Sequence, residues 1–184
     1  MKTLLLSLVI VLAGCAGQVA EPNYYLMRSK NDLDTRQLDP SSTVSLGQVV
    51  IASYIDQPGL LMETQSGEIR AARQHLWAEP IQDGVRNQLI VEISQSLGKD
   101  LLPANLVRTG SVLNVRIDQL HGTNKGTAKL VAYWWVSKSN EVVFAHRFAE
   151  EKALNKDGYG ALLTAEEQLL SRLAEDIAIT LAEK

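Results

Sequence analysis

Three consecutive segments in the second half of the chain alternate apolar and polar residues, and this pattern limits the fold more than any other feature. The alternation is strict over 113–118 and continues over 128–136 and 142–148. Successive side chains of a β-strand point to opposite faces of the sheet, so each segment predicts a strand with one buried face and one wet face. Turns at 122–126 and 137–141 are expected to join these strands as hairpins.

Two other segments carry apolar residues at helical spacing. In the first, apolar residues recur every fourth position over 81–97, and Pro80 and Gly98 predict its beginning and end. The second covers 162–181, and its predicted solvent face consists of Glu166, Glu167, Arg172 and Glu175. The predicted fold is therefore α+β, with a mostly antiparallel sheet and two long helices packed on one face.

The first half of the chain predicts shorter elements. Strands are expected at 24–27 and 45–53, followed by a hairpin formed by 60–64 and 68–70. The polar stretch 31–42 indicates a surface loop. No internal repeat is visible, and the length suits one folded domain.

The first 14 residues have the pattern of a secretion signal. A positive start at Lys2 precedes an apolar run that is too short for a membrane-spanning helix, which needs about 20 apolar residues. Leu12-Ala13-Gly14-Cys15 resembles the bacterial lipobox, so we expect cleavage of 1–14 and a lipid on Cys15. The alternative is an unmodified cysteine in an ordinary signal. Residues 15–22 would then form the lipidated cysteine and tether, and 23–184 a single periplasmic domain.

The surroundings of Cys15 and the charge of the chain narrow the class of protein. Cys15 is the only cysteine, so it has no disulfide partner within the chain. Ala16 follows it instead of the Asp associated with inner-membrane retention, so we expect the periplasmic face of the outer membrane. The formal charge is −3, and removal of Lys2 with the signal makes it more negative. This net negative charge argues against a nucleic-acid-binding protein, because such a protein needs a basic surface to neutralise phosphates.

The chain shows no catalytic motif. His75, His121 and His146 are scattered, and none belongs to a metalloprotease or hydrolase motif. The adjacent pairs Glu150-Glu151 and Glu166-Glu167 are interpreted as solvated carboxylates, because neighbours on a helix point about 100° apart. We therefore predict no enzyme activity, no metal and no cofactor. A periplasmic hydrolase whose site is assembled only by folding stays open as an alternative.

Trp134 and Trp135 are expected on opposite faces of the sheet. One ring would enter the core, and an exposed Trp135 beside Val131 and Tyr133 would offer a contact surface for a partner or a lipid. The alternative is that a loop covers that face.

Neither periodicity nor catalysis explains three short motifs in the chain. They are Asn23-Tyr24-Tyr25-Leu26 and the segments 53–60 and 76–81. They resemble, in the right order, the ABC-type transport auxiliary lipoprotein family, whose members include lipoproteins of the paraquat-inducible protein C type. That family typically has Y-Y-x-L near the mature start, Y-L-x-x-P after a strand, and W-A-E-P-L before a helix. Ile55 and Ile81 replace leucine conservatively, and Gln57 stands where the family often has arginine.

The resemblance implies a non-enzymatic component of an envelope lipid-transport system. Its partners would be the membrane, through the lipid anchor, an MCE-domain tunnel protein and, in a ring, further copies of the chain. The rival hypothesis is a structural or assembly lipoprotein that binds an outer-membrane protein or the cell wall. The candidate partner surface comprises Tyr54, Ile55, Asp56, Pro58, Trp77, Glu79, Pro80 and Trp135. The alternative for Tyr54 and Trp77 is that they pack internally and close the sheet edge.

Overall fold

The computed structural model describes residues 21–29, 37–39, 42–107 and 110–183. The predicted signal at 1–14, Cys15 and most of the predicted loop at 31–42 lie outside the described residues. Within them the chain forms seven strands and two helices: β1 (Asn23–Tyr25), β2 (Val44–Ile51), β3 (Gly59–Glu63), β4 (Ile69–Trp77), α1 (Ile81–Leu97), β5 (Ser111–Gly122), β6 (Thr127–Lys138), β7 (Glu141–Ala153) and α2 (Tyr159–Ala182).

The predicted α+β class is confirmed, and the sheet is mixed. Its strand order is β1-β4-β3-β5-β6-β7, and β2 also pairs with β5. The hairpins β3–β4, β5–β6 and β6–β7 are antiparallel, whereas β1 runs parallel to β4, and β2 and β3 run parallel to β5. Because β6 occupies one edge of β5 along its length, β2 and β3 share the other edge.

The local patterns explain the long strands. In β5, Leu113, Val115 and Ile117 are buried on one face, as their alternation predicts. The turn between β6 and β7 places Ser139 and Asn140 at φ values of 52° and 67°. Two consecutive left-handed residues are typical of the turn that matches the twist of a tight hairpin.

The helices lie where the periodicity places them. Pro80 precedes α1, and Gly98 ends it in the left-handed conformation at φ 63°. The two helices pack against each other, α1 also contacts β2, and α2 lies against β5, β6 and β7. No helix of the described residues is long and apolar enough to cross a membrane.

One prediction about α2 is wrong. Glu166 was expected on the solvent face, but it is only 1% exposed. Buried residues occur on α2 in adjacent pairs every four positions, and Glu166 follows Ala165 in one of them. The helix packs on the sheet and on α1 together, so its buried stripe is two residues wide and includes this carboxylate.

Candidate partner surface

The structure brings the two predicted partner segments together. The β3–β4 hairpin places Gly59 opposite Leu76, so the segment before β3 lies beside the segment after β4. The backbone N–H of Trp77 donates a hydrogen bond to the carbonyl oxygen of Pro58 at 2.7 Å. We call the surface formed by residues 54–58 and 77–80 the motif edge.

The third motif lies directly beside the motif edge. In the parallel pairing of β1 with β4, Tyr25 lies opposite Trp77. The N–H of Ala78 then donates to the carbonyl oxygen of Tyr25 at 2.8 Å. The three motifs that carry the family resemblance therefore meet at one end of the sheet, although they are far apart in the chain.

The members of the motif edge differ in exposure. Asp56, Pro58 and Pro80 are exposed, whereas Tyr54, Trp77 and Glu79 are half-buried. Ile55 is only 2% exposed, which corrects its place in the predicted surface. Its side chain belongs to the hydrophobic core, and its N–H donates to the carbonyl oxygen of Ala52 at 2.8 Å.

The two aromatic residues of the motif edge also contact the core. Trp77 and Tyr54 both pack against the main hydrophobic cluster. The Tyr54 ring meets the His121 ring edge to face, with centroids 6.3 Å apart. Burial raises the pKa of the Tyr54 phenol, against the opposing effect of a hydrogen bond with the backbone of Leu120. The phenol is therefore neutral at ordinary pH.

Glu79 connects the motif edge to the chain that follows β1. Its carboxylate forms an ion pair with Arg28, in which Arg28 Nη2 donates to Glu79 Oε2 at 2.8 Å. This hydrogen bond lowers the pKa of Glu79, so the carboxyl stays ionised. Sequence reasoning missed Arg28 because nothing local indicates that its partner lies 51 residues further along the chain.

The three histidines are not brought together. His75 Nδ1 lies 2.9 Å from the Tyr25 hydroxyl, and its ring stacks on Tyr159. His121 is buried against the Gly122 carbonyl, and His146 stacks on Trp134 with centroids 4.6 Å apart. Across the described ranges, no group of three or more His, Cys, Asp or Glu side chains is placed to hold a metal ion.

Trp135 lies apart from the motif edge. Trp134 is fully buried and its Nε1–H donates to Asp176 at 3.1 Å, whereas Trp135 points to the opposite sheet face and is half-buried. Of its two predicted neighbours, Tyr133 is 41% exposed and Val131 is buried at 4%. Any contact surface around Trp135 therefore includes Tyr133 and excludes Val131.

An open groove of about 470 Å³ lies beside Tyr54. Its lining carries both signs of charge, with Asp118 and Lys129 among the side chains. Sequence reasoning missed this groove because its residues belong to several strands that only the sheet brings together.

A family model described as the ABC-type transport auxiliary lipoprotein component matches residues 24–178. The chain belongs to this auxiliary lipoprotein family. It is 26% identical over 175 residues to the Intermembrane transport lipoprotein PqiC of Escherichia coli (strain K12), an alignment that covers 91% of this chain and 90% of that protein. All the described residues of the candidate surface lie within the range that matches the auxiliary lipoprotein family.

Two solved structures share the fold. The crystal structure of an uncharacterized protein, 21% identical, superposes with a TM-score of 0.75 and covers 88% of this chain and 99% of that one. Protein XCC0632 from Xanthomonas campestris is 16% identical, with a TM-score of 0.63 and coverage of 86% and 91%. The arrangement of sheet and helices in this member of the auxiliary lipoprotein family therefore recurs in crystal structures.

Proposed function

We propose that this protein is an outer-membrane-anchored periplasmic lipoprotein and a non-enzymatic component of an MCE-type intermembrane lipid transport system. In this role it docks or stabilises the tunnel protein. The family match over residues 24–178 carries the proposal, and the similarity to an intermembrane transport lipoprotein supports it.

The lipid anchor on Cys15 supplies the membrane attachment in this proposal. One acyl chain binds a membrane only marginally, whereas two or more hold stably, so a diacylated and N-acylated cysteine is a durable anchor. The short tether keeps the domain near one membrane. Confinement raises its effective concentration for a partner that reaches the same surface.

The motif edge is the proposed docking surface. Its two segments are joined by the hydrogen bond between Trp77 and Pro58, and Glu79 is fixed by Arg28. A surface that is ordered before binding loses less conformational entropy when the partner docks. The exposed members Asp56, Pro58 and Pro80 would contact the partner directly, with Tyr54 and Trp77 at the border between surface and core.

The docking test is a pull-down of the tunnel protein from membranes with an Asp56→Arg variant. Asp56 is exposed, so the reversed charge should weaken capture and leave the unfolding temperature unchanged. Glu141→Arg is the matched control, because Glu141 is exposed at the start of β7, on the opposite edge of the sheet. Equal capture by both variants would contradict docking through the motif edge.

A companion variant separates structure from contact for the half-buried aromatic residues. If the Trp77 ring both packs against the core and contacts the partner, Trp77→Ala should lower the capture of the tunnel protein and the unfolding temperature. Loss of stability with unchanged capture would make Trp77 purely structural. Trp135 is the proposed second contact surface, and Trp135→Ala is tested in the same way.

A ring of several copies would suit the end of a ring-shaped tunnel, and we include this oligomer in the proposal. Light scattering of the purified lipoprotein measures its mass directly. A monomer at the concentration that supports capture would exclude the ring.

A further inference from the structure

Two apolar side chains project outward from the first described segment of the chain. Tyr24 is 63% exposed and Leu26 is 49% exposed. We propose that these two side chains lie against the lipid bilayer that holds the anchor and orient the domain on it. The inference rests on the proposed lipidation of Cys15 and adds a second point of contact with the membrane.

The outward direction of Tyr24 and Leu26 is fixed by their neighbours. Asn23 and Tyr25 pair with β4, and the Tyr25 hydroxyl lies 2.9 Å from His75 Nδ1. Met27 is buried at 1%. A chain held at the residues before and after each exposed side chain cannot turn that side chain inward. The exposure is therefore a property of the folded domain.

Met27 is held by close packing on α1. A Cβ built at Gly84 would lie 3.1 Å from the Met27 Cβ, so the two segments touch with little space between them. Arg28 adds its ion pair with Glu79 immediately afterwards. The chain is therefore fixed to the rest of the domain immediately after Leu26, through Met27 and Arg28.

The position of the anchor identifies the bilayer as the occupant. Cys15 precedes Asn23 by eight residues, and a fully extended chain of that length spans at most about 28 Å. β1 therefore lies within about 28 Å of the anchored cysteine. β7 is the other outermost strand, five strand spacings away, or about 24 Å at the usual separation of paired strands. The β1 edge is therefore the sheet edge to which the anchor is joined by the shorter path, and the β7 edge lies on the far side of the sheet.

The chemistry of the two side chains suits a membrane interface. A tyrosine combines an apolar ring with a hydroxyl that stays hydrated, and such residues concentrate at the boundary of the hydrocarbon core. Leucine gains free energy on leaving water. The charge that follows them on Arg28 is paired with the carboxylate of Glu79. Contact here would place the adjacent motif edge at the bilayer surface.

The test measures contact with acyl chains at single positions of the full lipidated protein. Tyr24→Cys and Leu26→Cys variants are labelled with a fluorescent probe, and acylation of Cys15 leaves the new thiol as the only free one. Val142→Cys is the matched control, because Val142 is apolar and 60% exposed on β7. The proteins are reconstituted in phosphatidylcholine vesicles whose acyl chains carry nitroxide quenchers. Probes at positions 24 and 26 should lose most of their fluorescence, and the probe at 142 little.

The outcomes separate this inference from the proposed function. Mass spectrometry of the N-terminal peptide first establishes whether Cys15 is acylated. If it is acylated and positions 24 and 26 are no more quenched than 142, the bilayer contact is overturned and the transport role stands. An unacylated Cys15 would overturn both proposals.

Discussion

Replacement of Glu166 should stabilise this protein and flatten its response to pH. Glu166 and Gln88 are each 1% exposed. Gln88 Nε2 donates to the carbonyl oxygen of Glu167 at 2.9 Å, but Gln88 Oε1 and Glu166 Oε2 are buried with no hydrogen-bond partner among the described residues. Burial, and next the charge of Glu167, raise the pKa of Glu166 to about 8.

The size of the effect follows from this pKa. The ordinary value is 4.5, so at pH 7 the carboxyl is protonated in the folded protein and ionised in the unfolded chain. An acid whose pKa rises on folding favours the folded state less as pH increases. The free energy of unfolding should therefore fall by about 1.4 kcal/mol per pH unit between the two pKa values and level off above the higher one. At pH 7 the penalty is about 3 kcal/mol.

The assay is urea unfolding of the wild type and of Glu166→Gln across a pH series. Glutamine has no proton to bind, so the difference between the two proteins should grow from small values near pH 4.5 to about 3 kcal/mol at pH 7. Glu175→Gln is the matched control, because Glu175 is exposed on the same helix and its replacement should leave the slope intact. Parallel pH profiles for the wild type and Glu166→Gln would refute the reasoning.

Three further predictions concern the strand pairing, the core and the anchor. Gly59→Ala should lower the free energy of unfolding by about 3 kcal/mol, because its Cβ would lie 2.2 Å from the Ala72 carbonyl oxygen; a wild-type urea midpoint would contradict this close approach. Trp134→Phe should cost about 2 kcal/mol or more in the same assay, through loss of the 3.1 Å hydrogen bond to Asp176 and of buried ring volume, and an unchanged stability would contradict both contributions. Cys15→Ser should abolish lipid attachment and normal processing, so a variant that is processed normally and stays in the envelope fraction as firmly as the wild type would argue against a lipid anchor.

Local sequence patterns were sufficient for the two helices and for β5, β6 and β7, whereas β4 runs from Ile69 to Trp77 and the pattern predicted only its beginning. The spacing of apolar residues and the flanking Pro80 and Gly98 predicted α1, which runs from Ile81 to Leu97. Alternation predicted β5, β6 and β7, and it placed Trp134 inside and Trp135 on the other face. These features depend on residues a few positions apart, and a single element imposes its own period on its side chains.

Only the tertiary structure decided which elements are neighbours. The alternation that predicts a strand says which face is buried, but it does not say beside which strand, or in which direction, the strand lies. The parallel pairing of β1 with β4, the joining of Pro58 to Trp77 and the ion pair between Arg28 and Glu79 all connect residues that no local pattern relates.

Glu166 shows the same difference between what a local pattern predicts and what tertiary packing decides. The sequence by itself determined that α2 is an amphipathic helix, because its apolar residues repeat with the helical period. It could not determine how wide the buried stripe is. That width depends on how many surfaces cover the helix, and only the packing of α1 and the sheet around α2 places this carboxylate in the core.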